Sequence, residues 1–164
     1  MFAFFKRSPK NVDAAFRDLA EMLRRDERRP TYRVELLKDA ALDYSVDSLT
    51  SIEDYLRSIR GDDIDDQSRA VLCLRCGAYV GETIRRNSKA EHHWLRFRDA
   101  ARMSPTVASL GESVWTSGVL WRVPDGYSFP ISKVGKFLVE GDEDSPAFFA
   151  KTLLSRDWPQ PSAK

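Results

Sequence analysis

The sequence predicts an α+β domain: N-terminal helices and a buried central helix packed on a small antiparallel sheet, with further helices at the C-terminus. Three observations carry this. Apolar residues recur at helical spacing through the first half of the chain. Between residues 92 and 129 the period switches to two, with turns short enough to favour antiparallel hairpins. Helical spacing then returns, and elements segregated in this way are the mark of α+β rather than of alternating βαβ units. The chain is 164 residues long, which suits one domain over 1–164, with 1–10 as an N-terminal extension and 157–164 as a C-terminal tail.

The N-terminus places Phe2, Phe4 and Phe5 before Lys6 and Arg7. A signal peptide has its positive charge first, followed by a longer apolar run. The expectation is an extended piece that docks its phenylalanines on the body, and a cytoplasmic protein. No stretch approaches the ~20 apolar residues of a membrane helix.

Residues 11–29 read as a first helix, with Val12, Phe16, Leu19 and Leu23 on one face and Ala15, Ala20 and Met22 widening it. Arg24, Arg25, Arg28 and Arg29 crowd its end, where cations suit the helix dipole, and Pro30 stops it. Tyr32, Val34 and Leu36 alternate with charged residues as in a short strand, in competition with a helix through Leu37 to Leu42. Ser45 is the expected N-cap of a second helix, which buries Val46, Leu49, Ile52, Leu56 and Ile59 and ends at Gly61.

The segment from Asp62 to Asp66 holds four carboxylates around Ile64. Capping of the next helix is the first reading, since negative charge is stabilised at a helix N-terminus. A divalent cation or a basic partner are the others. A calcium loop wants a glycine at its sharp turn and a bidentate glutamate at its end, and neither is present.

The stretch 68–87 is apolar nearly all round between Ala70 and Val80, which predicts a helix at the centre of the core. Cys73, Gly77 and Gly81 fall at i, i+4 and i+8. Each interior glycine costs a helix about 1 kcal/mol against alanine, so close approach by another backbone is expected there. Cys73 and Cys76, the only cysteines, sit inside this pattern and away from its start. They read as buried thiols, not as a redox pair or a zinc half-site, and no metal or cofactor is expected. Glu82 stands where the helix turns polar, in reach of Arg85 or Arg86.

His93, Leu95 and Phe97 alternate with His92, Trp94 and Arg96 in a first clear strand. Ser104-Pro105 opens a short helix through Leu110, with Gly111 after it. Val114 and Thr116 suggest a second strand, Val119, Trp121 and Val123 a third, and Tyr127 and Phe129 a fourth beyond the Pro124-Asp-Gly126 turn. Ser132 is expected to cap a helix with Val134, Phe137 and Leu138, closed by Gly141. Ser145-Pro146 caps the last, with Phe148, Phe149, Leu153 and Leu154.

Leu42-Asp-Tyr-Ser45, Gly77-Ala-Tyr-Val-Gly-Glu82, the strand at His93-Trp94, Phe129-Pro-Ile-Ser-Lys-Val134 and Glu140-Gly-Asp142 form a familiar series. Over Leu42 to Phe149 the chain resembles a group of small uncharacterised bacterial proteins whose helix carries Gly-Ala-Tyr-x-Gly-Glu. The resemblance implies a small bacterial α+β domain and carries over no catalytic residues.

The chemistry is narrowed by what the motifs supply. There is no Gly-x-Ser-x-Gly elbow, no phosphate-binding glycine loop, and the two histidines are strand neighbours that point to opposite faces. The chain is not expected to be an enzyme; a hydrolase using the carboxylates from Asp62 to Asp66 is the alternative. Arg85, Arg86, Lys89, Arg96, Arg98 and Arg102 interleave with Trp94 and Phe97, but 26 basic residues stand against 25 acidic ones, so nucleic acid is not the expected partner. The expected function is a protein-binding module: a bacterial immunity protein that occludes the active site of a cognate toxin. Its partner-binding residues would be Asp62, Asp63, Asp65, Asp66, Glu82 and Trp94, with opposite charge speeding association. A small-molecule-binding accessory domain, using the gap beside Gly77 and Gly81, is the other reading.

Overall fold

A computed structural model describes residues 11–155. The docking of Phe2, Phe4 and Phe5, the C-terminal tail and Trp158 lie outside the described residues. Within them are seven α-helices and one three-stranded antiparallel sheet, so the α+β architecture is as expected. Among the described residues no helix is long and apolar enough to cross a membrane.

Helix α1 (Val12–Arg25) is capped by Asn11, whose side chain accepts from the Ala14 N–H, and it buries Phe16, Ala20 and Leu23. Met22 is exposed, not part of the stripe. The helix ends four residues before Arg29 because the Asp26 carboxylate accepts the N–H groups of Arg28 and Arg29 at 3.1 and 3.0 Å. The expected strand at Tyr32 to Leu36 is instead a 3-10 turn, Val34–Leu37. Arg33 is in the left-handed region with φ of 47°, which turns the chain so that Leu37 is buried and Leu36 exposed. Helix α2 (Ser48–Ile59) starts three residues after Ser45, whose Oγ accepts the Ser48 N–H at 3.1 Å and so caps a lead-in turn. Its Leu49, Ile52, Leu56 and Ile59 are buried as expected. Gly61 lies beyond the C-cap, Arg60, and does not itself end the helix.

Helix α3 (Asp66–Asn87) is the 22-residue centre of the molecule, and α1, α6 (Pro130–Glu140) and α7 (Pro146–Ser155) pack round it. The two glycines have the expected cause. A Cβ on Gly77 would lie 2.5 Å from Cα of Ile131 in the first turn of α6, and one on Gly81 would collide with Cζ2 of Trp94. Helix α6 begins at Pro130 rather than beyond Ser132, because a proline at N1 needs no N–H partner there. Gly141, with φ of 89°, closes it. Ser145 does cap α7, its Oγ accepting the Phe148 N–H, and Glu53 of α2 accepts the Ala147 N–H at 3.0 Å. Phe148 is exposed, and α7 buries Pro146, Ala147 and Ala150 instead.

Strands β1 (His92–Arg96), β2 (Gly118–Arg122) and β3 (Gly126–Ser128) pair in that order. Residues paired across an antiparallel ladder share a face. Trp94 faces with Leu120 toward α3 and joins the main core, where its indole stacks on Phe16 with centroids 4.2 Å apart. Leu95 faces with Val119 the other way, where α4 (Phe97–Met103) and α5 (Pro105–Ala108) cover them with Phe97, Ala100 and Val107. Phe97 thus opens a helix instead of continuing the strand. Val114 and Thr116 form turns, not a strand: the Thr116 hydroxyl donates to the Gly111 carbonyl at 2.8 Å and accepts the Ser113 N–H at 2.9 Å.

Candidate functional site

The acidic segment from Asp62 to Asp66 links α2 to α3. Ile64 is buried and anchors it. Oδ2 of Asp62 accepts the Tyr32 hydroxyl at 3.1 Å and an Arg33 guanidinium N–H at 3.4 Å. Oδ1 of Asp65 accepts the N–H groups of Gln67 and Ser68 at 3.0 and 2.9 Å, the expected helix cap. The hydrogen bonds from Ser68 hold the Asp65 carboxyl below its ordinary pKa. The carboxylates of Asp63 and Asp66 are exposed and bond to no other described residue. Two of the four carboxylates are therefore structural ties and two face solvent, which removes half of the group a carboxylate hydrolase would draw on.

Glu82 and Trp94 require correction. Both are buried, at 0% and 2% exposure, so neither is offered to a partner at the surface. Trp94 Nε1–H donates to Oε1 of Glu82 at 3.0 Å, and Glu82 also accepts from Nε of Arg85 at 2.9 Å and Nε of Arg86 at 3.3 Å. Each predicted arginine pair forms, and the indole that was expected outside completes the set. Three residues of α3 carry the carboxylate and both guanidinium groups, while the strand inserts the indole. Phe97 is buried too, so no aromatic face is offered between the arginines. Arg98 pairs with Glu112 and Arg102 with Asp99.

His93 is the outward-facing histidine. Its Nδ1 lies 2.9 Å from Oδ2 of Asp13 and its Nε2 2.7 Å from Oε1 of Glu91. The bond to Asp13, then that to Glu91, raises its pKa. Both ring nitrogens are thus committed to carboxylates, which fix the ring in place. Oδ1 of Asp13 accepts the Trp94 backbone N–H at 2.6 Å, so one α1 carboxylate closes the open edge of β1. His92 is buried and bonds the Ala90 carbonyl. Cys73 and Cys76 are buried free thiols. Burial pushes Cys73 up to about 12 and Cys76 well above the ordinary value, opposite to what a reactive pair needs. Among the described residues no group of three His, Cys, Asp or Glu side chains is placed to hold a metal ion.

The residue that pattern reading passed over is Arg75. It is the sole charge between Ala70 and Gly81, is 2% exposed, and reaches the chain reversal after α1. One terminal nitrogen donates to the Arg29 carbonyl at 2.7 Å and to Thr31 Oγ1 at 3.0 Å, the other to Oδ2 of Asp26 at 2.5 Å. A lone arginine in an apolar run must find acceptors, and that was the available signal.

The gap beside Gly77 and Gly81, where a ligand was an alternative, is filled by Ile131 and Trp94. A concavity lies elsewhere among the described residues. A groove of about 330 Å³ runs between the C-terminal half of α1 and the turn at Leu42 and Tyr44, with Tyr79 of α3 at its floor. Two of the sequence stretches singled out above meet here: Tyr44 stacks on Tyr79 with centroids 4.6 Å apart. No protein-family model, no curated protein and no solved structure matches the chain.

Proposed function

We propose that this protein is a non-catalytic protein-binding module that meets a basic partner at the α2–α3 turn, as a cytoplasmic bacterial immunity protein would meet the active-site cleft of a cognate toxin. The observation that supports the reading is the division of labour in the acidic segment. Asp62 and Asp65 tie the turn down on either side of buried Ile64, and Asp63 and Asp66 project from it without a described partner. A charged surface held in one shape loses little entropy when a partner docks. Opposite charge on the partner speeds the encounter. The groups best suited to acid–base or nucleophilic work, His93, Cys73, Cys76 and Glu82, are already committed to structural contacts or buried.

The test is co-expression with a toxin encoded beside it, followed by binding kinetics for the wild type and for Asp63→Asn/Asp66→Asn. The wild type is expected to protect cells and to associate more slowly as salt rises, with the double variant slower at low salt and less salt-dependent. Unchanged protection and an unchanged association rate in the variant would remove this surface from the proposal.

A further inference from the structure

We propose that the groove between α1 and the Leu42–Tyr44 turn binds a small zwitterion of amino-acid type with an apolar side chain. Its volume, about 330 Å³, sits at the lower end of small-molecule sites, which run from about 300 to 1,000 Å³. Ala20, Leu23 and Leu42 supply an apolar wall. Glu21, Arg24 and Arg25 stand along the rim, within about one turn of a single helix.

The wall opposite α1 is built, not incidental. Tyr44 is held in the left-handed region, with φ of 61°, where a non-glycine residue is uncommon. Side chains of α3 fasten both of its backbone groups: its N–H donates to Tyr79 Oη at 3.0 Å, and its carbonyl accepts from Nδ2 of Asn87 at 2.8 Å. Its ring is flanked by Tyr79 and by the Arg86 guanidinium, 3.6 Å from its centroid. The turn is drawn to α1 by Arg24, which donates to the Ala40 carbonyl at 3.0 Å. Backbone strain held in place this firmly is a feature of binding sites.

The unsatisfied groups define the ligand. The Tyr44 hydroxyl makes no hydrogen bond to a described residue, and neither Glu21 nor Arg25 has an ion-pair partner among them. Burial raises the Tyr44 pKa, so the hydroxyl stays protonated and able to donate. A carboxylate suits Arg25 and the free N–H groups of Arg24. An ammonium suits Glu21, and an apolar side chain suits Ala20, Leu23 and Leu42. A nucleotide fits less well: its phosphates would meet Glu21, and both sides of the Tyr44 ring are occupied, which leaves no aromatic face for a base.

The experiment titrates the full chain with L-phenylalanine, L-leucine, N-acetyl-phenylalanine, phenylalaninamide and inorganic phosphate, by ligand-observed NMR and calorimetry. The free amino acids are expected to bind saturably at millimolar concentration or below, and the derivatives lacking either charge about fivefold more weakly. Glu21→Gln weakens phenylalanine and leaves N-acetyl-phenylalanine unchanged. Arg25→Ala weakens phenylalanine and leaves phenylalaninamide unchanged. Both positions are exposed on α1, so folding is retained, and a melting curve checks it. Asp63→Asn/Asp66→Asn leaves the titrations unaltered, which separates this site from the proposed protein-binding surface. Absence of saturable binding, affinities indifferent to Glu21→Gln and Arg25→Ala, or phosphate binding as tightly as phenylalanine would each overturn the proposal.

Discussion

The six-membered ring of Trp94 fills the space over Gly81, and the same indole donates its N–H to Glu82, one residue further along α3, at 3.0 Å. The glycine makes room for the ring and the carboxylate holds it, so strand β1 is keyed to the central helix at one point. Phe16 stacks on the ring at 4.2 Å and closes the site from α1.

Gly81→Ala is expected to destabilise the fold by about 2 kcal/mol, in spite of the ~1 kcal/mol that alanine gains in helix propensity. The new methyl would collide with Cζ2 of Trp94, whose ring is stacked on Phe16. Gly61→Ala, where a Cβ meets nothing within 4 Å, is the control and should be neutral or mildly stabilising. Urea midpoints with unchanged slopes measure both. A neutral Gly81→Ala would mean that the ring is free to move.

Glu82→Ala should cost about 3–5 kcal/mol, because it strands the indole N–H in the core and removes the shared acceptor of Arg85 and Arg86. Trp94→Phe keeps most of the ring and should cost about 1–3 kcal/mol, since it takes one donor from a buried carboxylate. The double variant is expected to lose less than the sum of the two, as residues in one network couple. Strict additivity in the denaturation series would contradict the hydrogen bond.

Arg75→Ala should cost about 3–5 kcal/mol, with Arg75→Lys a smaller loss, because a lysine lacks the planar fork that serves the Arg29 carbonyl, Thr31 and Asp26 together. The backbone N–H of Arg29 and then the Arg75 charge hold the Asp26 carboxyl below its ordinary pKa, against burial. Stability from a depressed carboxyl is present above the unfolded value, about 3.8, and is lost as pH falls through the folded value. Acid unfolding of Asp26→Asn should therefore be less steep than that of the wild type, as followed by circular dichroism.

His93 works in the opposite direction. Its folded pKa lies above the ordinary 6.5, chiefly through the bond to Asp13. The stabilisation is complete below about pH 6.5 and is lost as pH rises through the folded value. With the side chain 40% exposed, water screens the pair, and the effect should stay under about 1 kcal/mol. NMR titration should place the His93 pKa above 6.5 in the wild type and lower in Asp13→Asn. A wild-type value at or below 6.5 would dismiss the clamp.

Much of this fold was legible because its signals are local. The apolar spacing of Leu49, Ile52, Leu56 and Ile59, the cap at Asp65 and the glycine at Gly141 each act through neighbours in the chain. The misreadings share a cause. Tyr32 to Leu36 alternates like a strand, but a strand needs a partner ladder, and the chain reverses at Arg33 instead. Phe97 continues an alternation that ends when α4 is required to cover Leu95 and Val119. Trp94 and Glu82 each carry a polar group suited to a surface, yet each satisfies the other inside.

The helical identity of α1, α2, α3, α6 and α7, the central position of α3 and the close approaches at Gly77 and Gly81 were determined by the amino-acid sequence alone, since periodicity and the lack of a Cβ act wherever the chain goes. Only the tertiary structure decided which charged groups are spent inward. Arg75, Glu82 and Asp13 become internal ties, and Glu21, Arg25, Asp63 and Asp66 remain outside. The physical reason is that desolvating a charge is tolerable only opposite a donor or acceptor, and for each of these three groups at least one such partner comes from 12 to 81 positions away in the chain.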